Sequence, residues 1–138
     1  FKKVREMAAF AGFLTAREAA KYMKARNKGS IFFTGATASI RGGSGFSAFA
    51  SAKFALRAVS QSMARELGPQ GIHVAHFIID GAIDTAFIKE NFPDRYALKE
   101  KDGILQPDAI ADAYWFVHTQ HRSAWTHELD LRPYMEKF

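Results

Sequence analysis

Phe49 and Lys53 are the two side chains whose types and spacing most directly suggest chemistry. Residues four apart on a helix share a face, so a lysine at this spacing lies beside the aromatic ring. A lysine ammonium lowers the pKa of a neighbouring phenol, because a positive charge favours the phenolate. Such a phenol can exchange a proton with a carbonyl or an alcohol. Phe49 has the ring without the hydroxyl, so the pair predicts a proton-transfer site that lacks its acid.

The histidines predict no metal centre. His73 and His76 are three apart in a predicted strand, so they should point to opposite faces of the sheet. The chain has no cysteine, which excludes a disulfide framework and a thiolate metal site. We therefore assign no metal, and the absence of cysteine predicts a cytoplasmic protein.

Length and composition favour a single globular domain. The chain has 138 residues, of which 48% are hydrophobic and 24% are charged. No segment approaches the roughly 18 consecutive apolar residues of a membrane span, so we expect no membrane partner. The net charge of +5 could attract nucleic acid, but the 19 basic residues are scattered and no recognition motif accompanies them. Nucleic-acid binding is therefore an unlikely function.

Helical and strand patterns alternate along the chain. Apolar or small residues at helical spacing, strong stop signals and short apolar runs predict three helices, over 1–26, 47–67 and 107–119, and three strands, over 30–35, 71–79 and 125–131. A polar stretch over 86–105 predicts a loop with one or two short helices. This order predicts an α/β fold with βαβ units on a parallel sheet and helices on both faces.

Two long ordered runs resemble the short-chain dehydrogenase/reductase family, namely Ala50-Ser51-Ala52-Lys53-Phe54-Ala55-Leu56 and Ala64-Arg65-Glu66-Leu67-Gly68-Pro69-Gln70-Gly71-Ile72. Residues 1–138 resemble the C-terminal part of one Rossmann-like, doubly wound domain of this family. The Gly-rich dinucleotide turn of the N-terminal half would precede Phe1.

The resemblance implies an unusual catalytic set. The family's Tyr-x-x-x-Lys motif places Phe49 at the tyrosine and keeps Lys53. Its catalytic serine, about thirteen residues earlier, aligns with Ala36, and its helical asparagine aligns with Ala8. The hydroxyls that could relay a proton instead belong to Thr37, Ser39 and Ser47, although each is more readily a loop hydrogen bonder.

The resemblance also implies a site for NAD or NADP. Lys53 would hydrogen-bond the nicotinamide ribose, and Gly81, Ile83 and Thr85 would form the turn that holds the carboxamide. The family's turn begins Pro-Gly, whereas here it begins Asp80-Gly81.

Two functions remain open at this point. The first is an NAD(P)-dependent oxidoreductase acting on a small-molecule carbonyl or alcohol; the alternative is a non-catalytic relative that binds a dinucleotide or serves as a scaffold. The family also pairs its corresponding helices between subunits, so we expect a homodimer or homotetramer through helices 1–26 and 47–67. The alternative for the small-residue face of residues 8–20 is burial against the chain's own sheet.

Overall fold

The computed structural model describes residues 1–137, which form three parallel strands with helices on both faces. The strands are β1 (Gly29–Thr34), β2 (Ile72–Ile79) and β3 (Glu128–Leu131), in the order β1-β2-β3. The α-helices are α1 (Lys2–Arg5), α2 (Ala11–Arg26), α3 (Ser47–Leu67), α4 (Ala86–Asn91), α5 (Pro93–Tyr96) and α6 (Pro107–Thr119). The predicted α/β architecture is confirmed.

β2 lies between the other two strands and all eight of its residues are buried. It pairs in parallel with β1, where Ile31 lies opposite Val74, and with β3, where Phe77 lies opposite Leu129. A central strand covered on both faces reads as a continuous apolar run, which is why the sequence predicted it well. The last predicted strand is shorter than expected and begins at Glu128 rather than at Trp125.

The two faces of the sheet carry separate cores. On one face, α2 and α3 pack side chains such as Ala16, Leu56 and Met63 against β1 and β2. On the other face, α6 packs Val117 against Phe77 and Ala75. The side chains of His73 and His76 lie on opposite faces of the sheet, as the strand alternation predicted. His73 stacks on Trp125, whereas His76 bonds to Glu128.

The first helix is continuous from Lys2 to Arg26 but contains a π-helical segment, Glu6–Phe10, between α1 and α2. No local sequence signal predicted this irregularity. Asn27 ends α2 in the left-handed conformation, with φ of 49°. Part of the small-residue face is buried within the chain: Ala16 and Ala20 belong to the core, and a Cβ on Gly12 would lie 2.7 Å from Leu56 Cδ1.

Candidate active site

A cavity of about 470 Å³ opens at the carboxyl ends of β1 and β2, where ligands bind in open parallel sheets. Thr34 and Ile79, the last residues of these strands, both line it. The loop from Gly35 to Gly43 forms one wall, and Phe46 and Phe49 form another. The cavity is therefore mostly apolar, with a few polar groups at fixed positions.

Ala36 and Phe49, the positions at which the resemblance places catalytic side chains, both line this cavity. Phe49 lies in the first turn of α3 and is 39% exposed. Neither side chain can donate or accept a proton. The two positions at which the resemblance expects a serine and a tyrosine thus supply apolar wall.

Lys53 lies one turn further along α3, and its Nζ donates to the main-chain carbonyl of Thr34 at 2.9 Å. Its ammonium is 5.7 Å from the centre of the Phe49 ring, within the range of a cation–π contact. Burial lowers the pKa of Lys53. The ammonium is thus fixed at the carboxyl end of β1, and two of its three hydrogens remain for other partners.

Lys53 lines a groove next to the cavity rather than the cavity itself. This groove, of about 490 Å³, runs between β1 and the first helix, and Ala8 lines it as well. Ala8 lies within the π-helical segment, a feature frequently found at functional sites. Thr34 lines both spaces, so the groove and the cavity meet at the end of β1.

The three candidate hydroxyls have different positions. Ser39 is fully buried, and its Oγ accepts the main-chain N–H of Ala36 at 3.0 Å. Ser47 is exposed at the start of α3 and does not line the cavity. Thr37 lines the cavity, and its hydroxyl donates to Asp80 Oδ1 at 2.5 Å. The structure therefore brings only Thr37, of these three, to the cavity.

Asp80 and Arg41 join Thr37 in a polar cluster that sequence reasoning did not assign to the site. The side chain of Asp80 is completely buried, and Arg41 Nη2 lies 3.6 Å from its Oδ1. A signal was present in the sequence, because Asp80 stands where the resembled family has proline. Its partner could not be read from the sequence, since Thr37 precedes it by 43 residues.

The turn after β2 contains Ile83, whose main-chain N–H and carbonyl are available to a ligand. Gly81 begins it with φ of 148°, and a Cβ there would lie 2.9 Å from Pro133. Ile83 forms a parallel bridge with Leu105 in which Asp84 and Ala82 make the hydrogen bonds. Within residues 1–137, neither the N–H nor the carbonyl of Ile83 has a hydrogen-bond partner. This donor and acceptor, on a residue that lines the cavity, match the two halves of a primary amide.

Thr85 caps a helix and does not line the cavity. Its Oγ1 accepts the N–H of Ile88 at 3.3 Å at the N-terminus of α4, and the residue is exposed. The hydroxyl hydrogen remains available, so the cap does not prevent Thr85 from donating to the carboxamide that the resemblance assigns to this turn.

Glu128, the first residue of β3, bonds to two side chains on the α3 face of the sheet. Arg57 forms a two-pronged bond with it, at 2.8 and 2.7 Å, and His76 Nδ1 lies 3.0 Å from Oε2. Burial raises the pKa of Glu128, but its bonds to Arg57 and His76 outweigh this and leave a net lowering. Burial lowers the pKa of His76 despite the carboxylate. A neutral His76 therefore donates from Nδ1 and leaves Nε2 beside Gly35.

Neither a metal-binding cluster nor a membrane-spanning helix occurs among residues 1–137. Their His, Asp and Glu side chains form no group of three that could hold a metal ion. Their helices include none long and apolar enough to cross a membrane.

The three parallel strands and the cavity at their carboxyl ends define an open α/β fold of the Rossmann-like type, and comparison with known proteins identifies the family. The family model described as short chain dehydrogenase matches residues 1–96. The chain therefore belongs to the short-chain dehydrogenase/reductase family.

Individual relatives support the same family. The chain is 33% identical over 110 residues to (21S)-21-acetoxyl-apo-melianone synthase SDR of Melia azedarach, covering 74% of this chain and 40% of that protein. It is 54% identical to a short-chain dehydrogenase from Rhodopseudomonas palustris, with a TM-score of 0.76 over 97% of this chain and 52% of that one. The chain thus spans 40% of the length of the first of these relatives and 52% of the second.

A more distant solved structure shares the fold. It is 7α-hydroxysteroid dehydrogenase complexed with NADH and 7-oxo glycochenodeoxycholic acid, at 23% identity and a TM-score of 0.79. The match covers 94% of this chain and 53% of that one. At this level of identity the likeness shows a common architecture.

Proposed function

We propose that this chain is the C-terminal part of an NAD(P)-dependent oxidoreductase that acts on a carbonyl or alcohol in the cavity beside Phe49. The observation that carries the proposal is the placement of Ile83 in the turn after β2 and of the Lys53 ammonium at the carboxyl end of the adjacent strand β1. Ile83 offers an unpaired N–H and carbonyl, and Lys53 offers two free ammonium hydrogens. The complex of 7α-hydroxysteroid dehydrogenase with NADH agrees with this assignment.

The residues at the site fit the nicotinamide end of NAD or NADP. A carboxamide has one acceptor and two donor hydrogens, which complements the main chain of Ile83. Lys53 would donate to ribose hydroxyls, and the Gly81 and Thr85 ends of the turn would complete the carboxamide site. When bound, the cofactor supplies hydride transfer, and the chain supplies binding, orientation and proton handling.

Titration of the intact protein with NADH and with NADPH tests this proposal. We expect saturable binding of at least one of them, followed by calorimetry or by the fluorescence of the reduced nicotinamide. Failure of both to bind would refute it. The site formed by Ile83 and Lys53 does not distinguish NAD from NADP, because both cofactors have the same nicotinamide end, so both must be tried.

One observation favours the second candidate, a non-catalytic relative that keeps the dinucleotide. Ala8, Ala36 and Phe49 occupy three of the four positions at which the family has catalytic side chains, and none of them can move a proton. The double variant A36S/F49Y separates the two functions. Turnover in the parent protein supports the enzyme, whereas turnover only in the double variant supports the non-catalytic relative.

We further propose that copies of this chain associate as a homodimer or homotetramer through the first helix, residues 2–26, and α3. Phe10, Phe13 and Phe54 on these segments are all exposed, at 57%, 37% and 43%. Phe10 and Phe13 line an apolar groove together with Phe1 and Val59. Exposed aromatic patches of this kind typically mark protein interfaces.

The cytoplasmic location of the protein stays a prediction.

A further inference from the structure

We propose that Thr37 and Asp80 form a hydroxyl–carboxylate pair that presents a hydrogen-bond acceptor to the cavity and so selects a ligand hydroxyl over a carbonyl. The inference rests on the proposed function in one respect, that the cavity is the substrate site. It concerns which ligand group the cavity accepts and does not require a bound dinucleotide.

The direction of the bond between the two residues is fixed by their chemistry. An ionised carboxylate has acceptors only, whereas a hydroxyl has one hydrogen and two lone pairs. Thr37 Oγ1 lies 2.5 Å from Asp80 Oδ1, the short distance of a bond between a hydroxyl and a charged oxygen. Thr37 must therefore direct its single hydrogen to Asp80, and only its lone pairs remain for the cavity.

The carboxyl group of Asp80 has few partners among residues 1–137. Arg41 is the cation nearest to it, with Nη2 3.6 Å from the same Oδ1. The carboxyl group is completely buried, and Oδ2 has no hydrogen-bond partner among residues 1–137. Within residues 1–137 the bond from Thr37 is thus the only hydrogen bond of this carboxyl group, with Arg41 as its ionic neighbour.

The other groups that line the cavity do not reverse this preference. Arg41 and the N–H of Ile83 can donate, but they serve an alcohol and a ketone alike, because the oxygen of either ligand accepts hydrogen bonds. Thr34, the second hydroxyl residue in the lining, has its Oγ1 2.8 Å from the hydroxyl of Tyr114. Ala36, Phe46 and Phe49 contribute apolar surface. The family's serine and tyrosine would have donated hydrogen bonds to a carbonyl from two of these positions. Their replacement leaves Thr37 as an acceptor in an apolar wall, where a ligand O–H gains a bond and a ligand carbonyl meets lone pairs.

Replacement of Asp80 by asparagine should turn Thr37 from a hydrogen-bond acceptor into a donor towards the cavity. The asparagine amide can donate to Thr37 Oγ1, which releases the threonine hydrogen towards the cavity. A carbonyl ligand then gains a donor. Thr37→Val removes the hydroxyl with little change of shape and should abolish the preference, while Thr37→Ser keeps the hydroxyl and should preserve it.

The experiment compares cyclohexanol with cyclohexanone, which share a ring and differ in the polar group. Binding to the intact protein is measured by ligand-observed NMR without dinucleotide, with chemical shifts of cavity residues to confirm the location. We expect the alcohol to bind about tenfold more tightly, the difference that one net hydrogen bond of about 1.4 kcal/mol produces. Asp80→Asn should bring the ratio to about one or below, and Thr37→Val to about one.

Several outcomes would overturn the inference. These are equal affinities in the parent protein, no binding of either ring, or an alcohol preference that survives Thr37→Val. Circular dichroism establishes that each variant folds; if Asp80→Asn does not, Thr37→Val and Thr37→Ser still decide. The proposed function fails by a different measurement, the absence of NADH and NADPH binding, so the two failures are distinguishable.

Discussion

Lys53 Nζ donates to the carbonyl oxygen of Thr34 at 2.9 Å, and this bond holds the ammonium at the open end of β1. Helix α3 carries the amine and the sheet supplies its anchor, so the position depends on the packing of one against the other. The same strand end borders both the groove that Lys53 lines and the cavity that Phe49 lines. A ligand that spans the two spaces would therefore pass the ammonium.

Replacement of Lys53 by methionine should weaken dinucleotide binding. The variant keeps the length of the side chain and removes the charged donor, and hydrogen bonds to charged groups are worth about 1.5–3 kcal/mol. We expect a dissociation constant at least about tenfold higher, measured by titration with NADH and NADPH. The control is Lys21→Met, which removes an exposed partner of Glu18 on α2. Unchanged affinity in Lys53→Met would contradict the proposed role.

Replacement of Gly35 by alanine should destabilise the protein. A Cβ at this position would lie 2.3 Å from His76 Nε2 and 2.7 Å from Ser39 Oγ, and both side chains are completely buried. Overpacking of this kind costs about 1–3 kcal/mol. The free energy of unfolding in urea measures the effect. Gly42→Ala is the matched control, because a Cβ there meets nothing within 4 Å; an equal loss in both variants would contradict the steric explanation.

Stability should fall as the pH is lowered through the histidine range. Burial lowers the pKa of His73 and of His76 below 6.5, so the unfolded chain binds protons that the folded chain does not. The contribution of these two histidines to the free energy of unfolding is therefore constant above about pH 7 and decreases below 6.5, by at most about 1.4 kcal/mol per pH unit for each histidine. Urea unfolding at pH 7.5, 6.5 and 5.5 measures the slope.

The control for this pH dependence is His121→Gln, which alters an exposed histidine. It should leave the slope unchanged, whereas His76→Gln should reduce it. A second loss is expected at lower pH, because the net lowering of the pKa of Glu128 makes its stabilising contribution disappear as the pH falls below 4.5. A free energy of unfolding that rises from pH 7.5 to 5.5 would contradict the lowered pKa values of His73 and His76.

A charge on the exposed aromatic face should disrupt self-association. Phe13→Asp places a carboxylate in the apolar groove beside Phe10 and Val59, where it would have to be desolvated on contact with a second copy. We expect a smaller mass by light scattering coupled to gel filtration, with unchanged circular dichroism. Phe87→Asp is the control, since Phe87 is exposed on the separate helix α4. A monomeric parent protein would rule out this interface.

The sequence by itself determined the layers of the fold and the family. The periodicity of α3, the apolar run of β2 and the proline that begins α6 are local signals, and each depends on neighbours a few residues away. The spacing of Phe49 and Lys53 is local in the same sense. It predicted a shared helix face, and the ammonium does lie 5.7 Å from the ring centre.

Only the tertiary structure decided which hydroxyl reaches the cavity and what holds it. Thr37, Ser39 and Ser47 were equivalent candidates in the sequence, because nothing local distinguishes a buried loop hydroxyl from an exposed one. The difference arises where the end of β2 places Asp80 against a loop that precedes it by 43 residues. Contacts between distant segments depend on how strands are paired and how loops cross their ends, and these relations carry no periodic signal in the chain.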